Sequence, residues 1–100
     1  VDSFNLGSDV YLEFTVKVNQ RPALITNVSG ELYRDGAHLG NFACSHFGSK
    51  VSSVIVGNTF TTIGDYVAKF IVGLDSMGMR EHAIPFKIIK SVLGKKRAVK

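Results

Sequence analysis

Val10-Tyr11-Leu12-Glu13-Phe14-Thr15-Val16-Lys17-Val18 is the stretch on which the fold turns. Apolar residues stand at 10, 12, 14, 16 and 18, and Tyr11, Glu13, Thr15 and Lys17 separate them. A period of two puts every apolar side chain on one face of an extended chain and leaves the other face to water. A helix would need apolar residues at i, i+3, i+4 and i+7 instead. The β-branched content agrees, so these residues predict a half-buried strand. Asn19-Gln20-Arg21-Pro22 then breaks it, because proline has no N–H for a ladder.

Working outward, a second extended stretch covers residues 29–34 and stops at Asp35-Gly36. That dipeptide between extended segments predicts a type I′ hairpin, whose two central positions both need positive φ. Residues 39–47 predict another strand, and Gly48-Ser49 the turn after it. Residues 51–56 give a short strand before Gly57-Asn58. Alternation returns at Tyr66, Ala68, Phe70 and Val72, and Asp75-Ser76-Met77-Gly78 reads as a hairpin loop. The last strand carries Ile84, Phe86 and Ile88 with Pro85 between them, which places it at a sheet edge or a bulge. No long stretch has helical spacing. The pattern predicts an all-β fold, an antiparallel sandwich of about seven strands.

One hundred residues make a single domain. The hydrophobic share is 45% and the mean hydropathy +0.16, both high for a chain this small. Either the core is dense or another molecule covers part of the apolar surface. Cys44 is the only cysteine, so no disulfide forms within the chain, and folding in a reducing compartment is expected. The opening Val1-Asp2-Ser3-Phe4-Asn5 has neither the basic nor the apolar region of a secretory signal. Val1 fits a start left by removal of an initiator Met, and a whole gene product is expected. Apolar runs reach about four residues, against the roughly 20 of a spanning helix, so no membrane partner is expected.

Charge divides the chain. Residues 87–100 hold Lys87, Lys90, Lys95, Lys96, Arg97 and Lys100 with no acid, while the remainder carries six basic and eight acidic side chains, a balance of −2. The organisation expected is a mildly acidic body over residues 1–90 and a basic C-terminal arm over residues 91–100. Ile88, Ile89, Val92, Leu93 and Val99, in and beside it, are expected to pack on the domain itself or on a neighbour. Lys90, Val92, Leu93, Lys95, Lys96, Arg97 and Lys100 are the partner-binding candidates. The arm has no aromatic residues on which bases would stack, so a protein surface is expected and nucleic acid is not.

Thr62-Ile63-Gly64-Asp65-Tyr66-Val67-Ala68 resembles the tyrosine corner of immunoglobulin domains. There a Tyr hydroxyl returns to nearby backbone, and the core Cys follows two residues after the Tyr. Ala68 stands at that Cys position. Leu32-Tyr33-Arg34-Asp35-Gly36 is similar to the third strand of such domains, with Leu32 in place of the core Trp. Val10-Leu12-Phe14 is similar to the second strand, with Phe14 in place of the first Cys. The resemblance spans roughly residues 9–90 and implies an immunoglobulin-like sandwich without its bridge. Phe14 facing Ala68 is the large–small replacement expected there. The likeness extends to the disulfide-free domains of tailed-phage virion proteins.

Catalytic chemistry finds little support in the residues. His38, Cys44 and His46 stand at H-x5-C-x-H spacing, three possible zinc ligands without an evident fourth. Cys44 has no helix N-terminus to activate it as a nucleophile. The carboxylates are scattered, and no glycine-rich phosphate loop precedes a helix. Asn27-Val28-Ser29 matches a glycosylation acceptor, a triplet common by chance. No enzyme activity and no cofactor are expected. The expected role is a non-catalytic virion structural protein, decorating a capsid or joining head and tail parts, made in the host cytoplasm and docked on neighbouring subunits. The alternative is an extracellular binding module of a cell-surface or carbohydrate-recognising protein, using the loops at 19–22, 48–50 and 75–78.

Overall fold

A computed structural model describes residues 2–75 and 78–90. Among the described residues ten strands follow one another: β1 (Asp2–Asn5), β2 (Val10–Thr15), β3 (Lys17–Val18), β4 (Arg21–Pro22), β5 (Ile25–Arg34), β6 (Ala37–Phe42), β7 (Ser45–Phe47), β8 (Lys50–Ile55), β9 (Gly64–Leu74) and β10 (Gly78–Ile89). A 3-10 turn, Gly57–Thr59, lies between β8 and β9. The strand count exceeds the about seven expected, through the short β1, the two-residue β3 and β4, and the division of residues 39–47 between β6 and β7.

One sheet has the order β1-β10-β9-β5-β6, and a second has the order β2-β8-β7. All pairings are antiparallel except β1 with β10, which is parallel. Both sheets feed one core. Val10, Leu12, Val51 and Ile55 come from the smaller sheet, and Leu32, Ala68, Phe70, Val72, Phe86 and Ile88 from the larger. The alternation along β9 does this directly: Tyr66, Ala68, Phe70 and Val72 are buried while Val67, Lys69 and Ile71 turn outward.

Turn chemistry follows the sequence closely. Asp35 and Gly36 take φ of 51° and 83°, and Arg34 pairs with Ala37 across them, as a type I′ hairpin requires. The Tyr66 hydroxyl donates to the Thr62 carbonyl at 2.8 Å, and its ring stacks at 14° on Phe86. Pro85 sits where β10 has β9 on one side and no strand on the other among the described residues. That is the edge position that proline tolerates.

Two local expectations change. The run 10–18 is not one strand: β2 ends at Thr15, and β3 turns back through Asn19 and Gln20 to pair with β4. Residues 39–47 are not one strand either. β6 and β7 belong to different sheets, joined through Ala43 and Cys44, and local alternation carries no record of which sheet a strand joins. The Phe14 ring meets Phe70 edge-on at 5.0 Å and His82 at 4.3 Å. Ala68 has Leu32 and Ile84 as its cross-strand neighbours. Leu12 is the deeply buried residue of β2 and Phe14 is half-buried.

Candidate functional site

The basic arm contributes one described residue. Lys90 is exposed just beyond the end of β10, beside a shallow hollow lined by Ile63, Asp65 and Lys87. There Lys87 and Asp65 pair at 3.2 Å. Val92, Leu93, Lys95, Lys96, Arg97 and Lys100, and Val99 with them, lie outside the described residues. Of the apolar residues assigned to arm contacts, Ile88 is buried in the domain's own core.

Of the loops named as a recognition surface, Gly48, Ser49 and Asp75 are bonded to the residues that flank the β3–β4 ribbon. Val16 N–H donates to the Ser49 carbonyl at 2.8 Å, Ile25 N–H to the Gly48 carbonyl at 3.3 Å, and Asp75 N–H to the Leu24 carbonyl at 3.2 Å. These bonds tie the base of the β3–β4 ribbon to the β7–β8 turn and to the start of the β9–β10 loop; none of them involves residues 19–22. Phe47 stands beside them, 89% exposed.

His38, Cys44 and His46 are not brought together. His38 lies on β6, bonded to Asn41 Oδ1 at 3.2 Å and edge-on to Tyr33, while His46 is exposed on β7 in the other sheet. Cys44, in the link between them, is half-buried and directs its Sγ at the Phe42 carbonyl at 3.8 Å. Burial pushes its thiol pKa up, and a hydrogen bond with Ser53 opposes this only in part. A raised pKa leaves little thiolate for attack or metal binding. No group of three or more His, Cys, Asp or Glu among the described residues could hold a metal ion.

Two hollows among the described residues lie at the open sides between the layers. On the side of β6, a hollow of about 360 Å³ is lined by Leu32, Leu39, Phe42, Val54 and Val56. Leu39, Val54 and Val56 are each about half exposed. On the opposite side, a groove of about 260 Å³ runs between β2–β3 and β10, over Phe14, Val16, Val72 and Leu74 and past Lys17, Arg80 and His82. Sequence reading missed this groove, although a signal was present. Carrying the alternation of Ile88, Phe86 and Ile84 two steps further back lands on His82 and Arg80.

No family model matches the chain, and no curated protein matches it. Among solved structures it is similar to a chimeric titin Z1Z2 functionalised with a KLER exogenous peptide from decorin, at 20% identity and a TM-score of 0.49, over 89% of this chain and 86% of that one. No functional conclusion rests on that likeness. No helix among the described residues is long and apolar enough to cross a membrane.

Proposed function

We propose that the chain is a non-catalytic structural protein that docks on neighbouring protein subunits of a larger assembly. In this reading its two layers are an immunoglobulin-like sandwich acting as a rigid spacer. The observation that carries it is the apolar surface left in water at the open sides, above all Leu39, Val54 and Val56 around one hollow. Grouped exposed apolar side chains on a small domain mark contact surfaces. A tailed-phage virion, where a capsid-decorating or head–tail protein needs no disulfide, is the setting we favour, with the basic residues 91–100 as a second contact.

The test is to remove everything after Ile89. The truncated chain is expected to keep its unfolding midpoint and to drop out of the native high-mass complex. Normal incorporation of the truncated chain overturns the role of the arm. A native mass equal to the lone chain overturns the assembly reading altogether. A second reading, an extracellular binding module, draws on the loop cluster around Gly48 and Asp75. It predicts that Phe47→Ser, at the loop end, abolishes binding while truncation after Ile89 does not.

A further inference from the structure

The first half of β10 breaks the pattern that its second half obeys. Ile84, Phe86 and Ile88 turn toward the core, Ile84 half-buried and the other two fully buried. By register, His82 and Arg80 continue that face: His82 pairs with Phe70 and Arg80 with Val72, two of the most deeply buried side chains. Cross-strand partners project from the same face of a sheet. Two polar side chains, an arginine and a histidine, therefore occupy core-facing positions, and local breaks of this kind concentrate at functional sites.

They remain exposed because nothing among the described residues closes the side above them. β1 pairs with β10 only from Phe86 to Ile89, so, among the described residues, 78–85 keep β9 on one side and no strand on the other. Beneath that open edge the groove has an apolar floor, Phe14, Val16, Val72 and Leu74, and Lys17 joins Arg80 and His82 at its rim. Glu81 is the one acid lining it. By register Glu81 pairs with Ile71, which turns outward, and Lys69 Nζ lies 3.5 Å from its carboxylate.

We propose that this groove docks an extended acidic segment of a partner protein, which adds a strand to β10 between Gly78 and Ile84. Alternate side chains of that segment enter the groove, the apolar ones over Phe14 and Leu74 and a carboxylate between Arg80, His82 and Lys17. Main-chain pairing supplies affinity, and the alternating pockets supply selectivity. A free anion would use neither the open strand edge nor the apolar floor. The chain's own residues 87–100, six cations without an acid, are repelled by the rim, which disfavours them from a second copy. The inference rests on the docking function above and specifies one of its contacts.

The probes are two short peptides, one alternating valine with aspartate and the other valine with lysine, titrated into the full chain and followed by amide NMR shifts and hydrogen exchange. The aspartate peptide is expected to bind at least about tenfold more tightly than the lysine peptide. It should protect amides of residues 78–84, while Leu39→Ser, on the far side, changes nothing. Arg80→Glu should reverse the preference, an outcome that misfolding cannot produce. Equal binding of the two peptides, shifts centred on β6, self-association through β10, or no binding at millimolar peptide each overturn the proposal. If the peptides fail while the chain still runs in a high-mass native complex, the groove is wrong and the docking function stands. If the aspartate peptide binds to a chain that is monomeric in its native extract, the reverse holds.

Discussion

Tyr66 does two jobs with one side chain. Its ring fills core between Phe60 and Phe86, and its hydroxyl donates to the Thr62 carbonyl four residues upstream. Tyr66→Phe keeps the packing and leaves that carbonyl without its donor, so a loss of about 1–2 kcal/mol is expected in urea unfolding. Glu13 is a second informative residue, on the outer face of the smaller sheet. Lys50 Nζ lies 2.9 Å from its carboxylate and the Tyr11 hydroxyl donates to it at 3.0 Å. The hydrogen bond from Lys50, then that from Tyr11, lowers its pKa below the ordinary glutamate value. A pKa lowered by folding contributes stability above the unfolded-state value, and that contribution is lost as pH falls through the folded-state value. Glu13→Gln should therefore be less stable than the parent at neutral pH and converge with it in acid. Unfolding midpoints across an acid pH series read this out.

At the scale of elements, the β3–β4 ribbon is held by a turn that its sequence does not favour. Asn19 and Gln20 take φ of 53° and 68°. Asparagine tolerates this region, but a glutamine there carries a Cβ penalty of about 1–2 kcal/mol. Gln20→Gly removes the penalty at some cost in backbone entropy, and a net gain of about 0.5 kcal/mol in thermal or urea unfolding is expected. The same comparison explains why the β5–β6 turn is readable from sequence and the ribbon is not. Asp35-Gly36 announces positive φ at both positions, whereas Asn19-Gln20 followed by Pro22 announces only an interruption.

At the scale of the molecule, Phe70 ties the two layers together, and the strands of its own sheet, through aromatic contacts that no single strand specifies. Phe70, wholly buried on β9, receives Phe14 from the smaller sheet at 5.0 Å and Phe42 from β6 at 5.3 Å, both edge-on. Phe70→Ala should cost about 3–5 kcal/mol, the transfer energy of the ring plus the cavity left behind. In a chain with one cysteine no disulfide limits the unfolded state, so most of a small domain's stability is at stake. A variant without a cooperative unfolding transition would be the extreme form of this result. A cost below about 1 kcal/mol would mean that the layers meet elsewhere.

The alternation at 10–18 and at 66–72, the turn at Asp35-Gly36, the corner at Tyr66 and the absence of a disulfide were all legible in the sequence. Each depends on neighbours within a few residues: period two, positive φ, or one hydrogen bond across a corner. Tertiary structure alone decided that β6 and β7 lie in different sheets, that Phe14 meets Phe70, and that His82 and Arg80 lie in a groove. A pattern of two distinguishes the faces of a strand but does not say what covers each face. Residues 10–18 illustrate the limit. Their alternation predicted the inward row correctly, yet where β2 ends followed only from its pairing with β8, and that Phe14 and Val16 floor an open groove only from the placing of β9 and β10 opposite them.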